Sequence, residues 1–141
     1  MTAPDALTAF LERYEERSNA NDASGTAALF AATFLAGSGN GAVAVPNEVM
    51  AGALTRRSDT LEQAGLRSTR LTDWTSTPLG GGFSLLHTNW LMTFDENGIA
   101  HAESAEFPST MLVHDDGKRV EICFYLAHGD IDATIARRTA P

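Results

Sequence analysis

The stretch FSLLHTNWLMTFDENGIAHAESAEFPSTMLVHDDGKRVEICFYLAH, residues 83–128, decides the fold. Two turn signals, Asp95-Glu96-Asn97-Gly98 and Asp115-Asp116-Gly117-Lys118, divide it into strand-patterned segments at Phe83 to Phe94, Ile99 to Val113 and Val120 to His128. Side chains alternate between the two faces of a strand, so a register slip of one residue would send all of them to the wrong side. Tight turns set Phe94 opposite Ile99 and Val113 opposite Val120, which places Trp90 across from Glu103 and Leu86 across from Phe107. One face then collects Leu86, Trp90, Met92, Phe94, Phe107, Met111, Val113, Val120, Ile122, Phe124 and Leu126. The reading is a curved antiparallel meander whose concave face is the core. Pro108 cannot donate to a ladder, and it marks an edge or a bulge.

What covers the concave face lies upstream. Leu7, Phe10, Leu11, Tyr14 and Ser18 recur at helical spacing within Asp5 to Asn19, with Asp5 as N-cap and Glu12, Glu15, Glu16 and Arg17 on the solvent side. A second helix is predicted from about Asp22 to Ala32, capped by Asp22 or Ser24. Phe34-Leu35-Ala36 and Ala42-Val43-Ala44-Val45 flank a glycine-rich turn, as in a hairpin or a mobile loop. Asn47 caps a third helix that presents Val49, Met50, Ala53, Leu54, Leu61 and Ala64, and Gly65 ends it, with Arg56 and Arg57 facing solvent. Leu66 to Thr77 alternates as a strand, Gly80-Gly81-Gly82 leads into the meander, and Asp130 to Arg138 forms a terminal helix. The expected architecture is α+β, one domain over 1–141.

The meander's other face carries Phe83, Leu85, His87, Asn89, Leu91, Leu112, Cys123 and Tyr125 among Glu106, Thr110 and Glu121. So many large apolar groups together predict a homodimer through this outer sheet face.

Composition narrows the function. Eighteen carboxylates against ten Lys and Arg give a net charge of −8, which repels a phosphate backbone, so nucleic-acid binding is not expected. The lone Cys123 has no internal disulfide partner, and the four His show no paired-ligand spacing that would predict a metal. No run approaches the roughly 18 apolar residues of a membrane span and no secretory pattern opens the chain, which points to a cytoplasmic protein with no membrane association. P-loop, dinucleotide and nucleophile-elbow motifs are absent from the sequence, and no cofactor is expected.

The helix around Phe10 and Tyr14, Trp90, Asp95 to Gly98, Asp116-Gly117, the strand Val120 to Leu126 and His128 together resemble the nuclear transport factor 2-like superfamily, nearest its SnoaL-like and ketosteroid isomerase-like branch. The resemblance covers nearly the whole chain. It implies a cystatin-like cone, a curved antiparallel sheet wrapped around the N-terminal helices, that dimerises through its sheet. It also implies a function among isomerases, dehydratases, cyclases and proteins that only bind or associate. The chain departs from the isomerase pattern, since Phe34 to Gly41 holds no carboxylate where the base would sit.

Glu103 and His128 are the strongest candidate acid-base pair on the predicted concave face, with Trp90 facing Glu103 and Tyr14 reaching in from the first helix as donor. Trp90, Phe10 and Phe107 are the expected walls of an apolar pocket. The function expected is binding of a small hydrophobic molecule, with cofactor-free isomerisation, dehydration or cyclisation as the catalytic form. The alternative is a non-catalytic dimeric association module.

Overall fold

The structure, a computed structural model, describes residues 4–140. Its elements are α1 (Pro4–Asn19), α2 (Ala23–Ala27), β1 (Phe30–Ser38), β2 (Gly41–Pro46), α3 (Asn47–Ala64), β3 (Leu66–Gly80), β4 (Phe83–Phe94), β5 (Glu103–Asp115), β6 (Val120–Ala127) and α4 (Ile131–Thr139). The six strands form one curved, unclosed sheet in the order β2-β1-β6-β5-β4-β3, and the helices pack into its concave side as an α+β cone.

The meander exists as read, with two changes of register. β4 pairs with β5 through Phe94↔Glu103, Trp90↔Phe107 and Leu86↔Met111, four residues from the predicted alignment. The shift is even, so each of these side chains keeps its face. Residues 95–102 form a loop instead of a tight hairpin because their backbone is taken up elsewhere: Arg138 binds the Asp95 and His101 carbonyls, and Asn97 Oδ1 accepts from the Ile99 and Ala100 amides.

The second change is odd. β5 and β6 align as Asp115↔Val120 and Val113↔Ile122, then jump to Leu112↔Phe124 and Met111↔Tyr125. Cys123 is the extra residue of a β-bulge, so beyond it the faces exchange. Phe124 and Leu126, expected inside, lie on the convex face with Leu112 and Thr110; Tyr125, expected outside, joins the concave face. Pro108 is not the bulge: it sits opposite Asn89 in unbroken register, and its carbonyl accepts from the His128 amide where the β5–β6 ladder runs out. A strand residue's N–H and C=O point the same way, so the missing donor falls at that open end.

Upstream, α2 is shorter than predicted, and Phe30 to Ser38 is a strand. Asp22 does cap α2, accepting from the Gly25 amide at 2.9 Å. β1 makes a hairpin with β2 and runs parallel to β6, so the sheet is mixed where the sequence predicted an antiparallel one. Asp5 lies in the first turn of α1, inside the helix. Asn47 is not a cap either; α3 starts after Pro46, and Asn47 Nδ2 reaches the Phe30 carbonyl. Val49 is exposed, whereas Leu61 and Ala64 are buried as expected. Gly65 ends α3 with φ +93°, and an added Cβ would stand 2.6 Å from the Asp95 carbonyl oxygen. Glu15, assigned to solvent, instead accepts from the Leu71 amide, and Asn19 pairs with both backbone groups of Thr69 at 2.7 and 2.8 Å. Side chains of α1 thereby close part of the exposed edge of β3.

The main core joins Leu7, Phe10 and Leu11 of α1 to Phe30 and Phe34 of β1 and to Leu86, Met111, Val113 and Ile122 of the sheet. A smaller cluster of Leu61, Ala64 and Phe94 takes in Ile131 and Ile135 of α4. Beside it lies Arg138, a charged residue near the chain's end that is fully buried. Its guanidinium donates to the carbonyls of Ala64 (2.7 Å), Asp95 (2.6 Å) and His101 (2.7 Å) and to Glu103 Oε1 (2.8 Å), and it lies over the Phe94 ring at 4.9 Å. Arg138→Met would strand these four acceptors, an expected loss of about 3–5 kcal/mol in urea unfolding. Arg137→Met, which removes only an exposed partner of Glu103, should leave the urea midpoint close to that of the wild type.

Candidate functional site

A cavity of about 160 Å³ opens between the concave sheet and the helices, floored by Trp90, Met92, Phe107 and Tyr125 and roofed by Tyr14, Leu54 and Leu61. That is about the size of an engineered apolar cavity that accepts benzene. Its rim is polar: Arg17 and Ser18 from α1, Asn21 and Asp22 from the α1–α2 turn, Arg57 and Ser58 from α3. The turn is tight enough that Asn21 adopts φ +55°, a left-handed conformation that asparagine tolerates, and its Oδ1 accepts from Ser58 Oγ at 2.8 Å. Gly129 leaves room for the Phe107 ring, whose Cδ1 would stand 2.8 Å from an added Cβ.

Within the apolar floor runs one chain of polar groups. Trp90 Nε1 can only donate, and it donates to Thr88 Oγ1 at 2.9 Å. Thr88 Oγ1 and Ser109 Oγ are 2.6 Å apart, and the Tyr125 hydroxyl neighbours both Ser109 and Tyr14, the latter on the opposite wall. With Trp90 fixed as donor, Thr88 Oγ1 accepts from the indole and has its own proton to give to the Ser109 carbonyl at 3.3 Å or to Ser109 Oγ. The run of polar groups ends at the Tyr125 hydroxyl, which lines the cavity wall. The rings stack in support, Tyr14 on Trp90 at 5.4 Å and Phe30 between Phe34 and Tyr125 at 4.5 and 6.1 Å.

The electrostatics follow from burial. Desolvation raises the Tyr14 pKa well above its usual value, assisted by the neighbouring Tyr125, and desolvation also raises Tyr125. In each case the Arg57 guanidinium pulls the other way, so its positive charge is felt at both hydroxyls.

Three of the residues predicted for the site, Tyr14, Trp90 and Phe107, meet in this cavity. Phe10 is in the packed core behind Tyr14 and does not line the space. Glu103 and His128 do not come together, and neither lines the cavity. Glu103 faces Phe94, not Trp90, and its Oε1 accepts from Arg138 at 2.8 Å and Arg137 at 2.7 Å, hydrogen bonds that hold its carboxyl below the usual range. His128 sits past the end of β6 on the convex side, where its Nε2 is 2.7 Å from Thr110 Oγ1, and His87 Nδ1 approaches the same hydroxyl at 3.2 Å. Sequence reasoning does not place Tyr125, Thr88, Ser109 or Arg57 in the site. Two hydroxyls at core-facing positions, Thr88 between Leu86 and Trp90 and Ser109 between Phe107 and Met111, are the readable signal. Among the described residues no group of three or more His, Cys, Asp or Glu is arranged to hold a metal, and no helix is long and apolar enough to cross a membrane.

Solved structures of the same shape fix the architecture. Aln2 from a Streptomyces species matches with a TM-score of 0.71 at 15% identity, over 97% of this chain and 99% of that one. An NTF-2 like protein of unknown function from Shewanella oneidensis matches at 0.65 and 15% identity, over 87% and 96%. The chain has the nuclear transport factor 2-like fold. A scytalone dehydratase-like protein from Novosphingobium aromaticivorans shares it at 0.69 and 10% identity, over 87% of this chain and 80% of that one. No family model and no curated protein sequence matches the chain. Identities this low transfer the fold alone, so the chemistry must be argued from the site.

The buried tyrosines make a prediction about pH. The folded protein holds both protons above the pKa of about 10 that tyrosine has in an unfolded chain. Stability from this source is therefore complete below about pH 10 and falls as pH rises toward the folded values. The Tyr14→Phe, Tyr125→Phe double variant should lose that part of the alkaline fall, read as a flatter urea midpoint between neutral and strongly alkaline pH.

Proposed function

We propose that this nuclear transport factor 2-like protein binds a small, largely hydrophobic ring molecule in the cavity, orienting an oxygen of the ligand against the Tyr125 and Tyr14 hydroxyls. The observation that carries this reading is the run of buried polar groups from Trp90 through Thr88 and Ser109 to the Tyr125 hydroxyl. Buried polar groups are costly unless satisfied, and here they stand together in one run that brings a phenol hydroxyl to the cavity wall. An apolar space with a few convergent polar groups is the usual form of a small-molecule site. If turnover occurs, the reaction class is cofactor-free, with Tyr125 donating to an oxygen on which negative charge develops. Glu103 and His128 lie outside this scheme, since both are committed to partners away from the cavity.

Titration with acetophenone, a ring bearing one carbonyl, tests the reading. The wild-type protein should bind it and gain thermal stability. Tyr125→Phe, which keeps the ring and deletes the donor, should weaken binding about fivefold, the worth of one hydrogen bond. Toluene should be indifferent to the substitution. No binding of either compound, or equal loss of both, would count against the site.

We propose, second, that the convex face seats another copy of the chain. Leu35 is 43% exposed and Phe83 38%, and around them Leu85, Leu91, Leu112, Phe124 and Leu126 are only partly buried, with no helix on that side among the described residues. The face carries both Glu106 and Glu121 and the imidazoles of His87, His114 and His128, so a two-fold contact can bring acids of one copy to imidazoles of the other. Sedimentation should give a dimer in the wild type and a folded monomer for Phe124→Asp. A monomeric wild type at micromolar concentration would end this proposal.

A further inference from the structure

The cavity's charge goes beyond a place for a ring. Two cations stand at its rim, Arg17 and Arg57, and both keep donors to spare. Arg17 spends one N–H on the Gly25 carbonyl at 2.8 Å, and Arg57 spends one on Asp132 at 3.2 Å. A guanidinium has five. The carboxylates nearby are occupied or outside: Asp22 caps α2 through the Gly25 amide, and Asp132 lies beyond the rim on α4, its side chain 77% exposed. The floor and roof bring no carboxylate, since the remaining lining is aromatic, aliphatic or hydroxyl-bearing. The field at the two tyrosine hydroxyls agrees, because Arg57 is the charged group that acts on both.

We infer that the ligand is an anion: a single-ring compound carrying a carboxylate or an enolate-type oxygen, its ring on Trp90 and Phe107 and its negative oxygen shared between Arg57 and the Tyr125 hydroxyl. The inference rests on the binding site proposed above and adds the charge of what fills it. The protein's net charge of −8 sharpens the point. An acidic surface disfavours anions at long range, so a guanidinium beside the ring pocket of an otherwise acidic molecule supplies local selection. The Arg57–Asp132 pair is the internal competitor. It is a solvent-screened surface pair of small worth, and a carboxylate arriving on a ring held by the floor can replace it.

Isothermal titration of the whole chain with benzoate and with benzamide, near neutral pH and at low salt, tests this. The two probes share shape and differ in charge. Benzoate should bind the wild type about tenfold or more tighter than benzamide, the difference between a charge-assisted and a neutral hydrogen bond. Arg57→Gln should abolish that preference, with the loss falling on benzoate far more than on benzamide. Asp132→Asn removes the competitor and should strengthen benzoate severalfold, a change in the opposite direction that a loss of folding would not mimic. Benzamide binding as well as benzoate, or a benzoate preference surviving in Arg57→Gln, would overturn the charge assignment and leave the pocket standing. If neither probe binds, the pocket reading falls and the charge assignment with it.

Discussion

The buried guanidinium of Arg138 is the constraint on which the arrangement of this cone depends. A fully desolvated cation must find partners for its N–H groups, and this one finds four: in the last turn of α3, at the two ends of the 95–102 loop and at the start of β5. Because all four partners converge on one point, the end of the sheet and the end of α3 are set relative to each other. The residue itself belongs to α4, so the same point anchors the terminal helix. Asn97 closes the ring from the other side by donating to the Arg138 carbonyl at 2.8 Å and to that of Gln63 at 3.1 Å. Ile131, at the opposite end of α4, is thereby carried to the cavity, and Asp132 to Arg57. A charge that touches no part of the cavity still decides which groups stand at its mouth.

Much of this was legible in the chain. The meander, the helical cover, the Asp22 cap, the Gly65 stop and the terminal helix all follow from local patterns, and the concave face was correct for every residue of β4 and for Phe107, Met111, Val113, Val120 and Ile122. Local patterns are legible because they are repeated: a period of two along twelve residues of β4 survives an error of four in its pairing. What was not legible depends on single residues. Ile122 to Leu126 is hydrophobic throughout, Tyr125 alone bearing a hydroxyl, so nothing in its composition says which residue is extra, and the bulge there exchanged Tyr125 for Phe124. Nor does Arg137-Arg138 say which guanidinium turns inward. That choice is made by carbonyls about 35 to 75 positions away in the chain, a long-range satisfaction that periodicity does not carry.

The bulge at Cys123 is what makes the site. In an unbroken ladder Phe124 would face the cavity, and the floor would be wholly apolar there. The extra residue rotates a tyrosine into the same position, at the point where Ser109 supplies a hydroxyl from the next strand. β3 uses the same device. Arg67, Thr72 and Leu79 are skipped in its pairing with β4, and Thr72 and Asn89 are stitched by side-chain bonds where the strand bends. Bulges both curve a sheet and re-aim its side chains. In this protein the two effects are joined: the curvature that opens a cavity and the polarity that lines it come from the same irregularities.

The site then has a distinct character within its fold. A proton-abstracting site needs a base within reach of the ligand, and the interior of this cavity holds donors: an indole N–H, two hydroxyls in series and two phenols that desolvation keeps protonated. Donors stabilise negative charge on oxygen in the ground state as well as in any transition state, so such a lining binds anions and enolate-like groups first and accelerates chemistry only where charge grows during reaction. Arg57 extends the same logic to the rim. The carboxylate that the strand pattern offers for catalysis, Glu103, is spent on neutralising the arginine that anchors α4. In this chain that acid serves architecture, and the polar groups left in the cavity's interior are an indole N–H and hydroxyls.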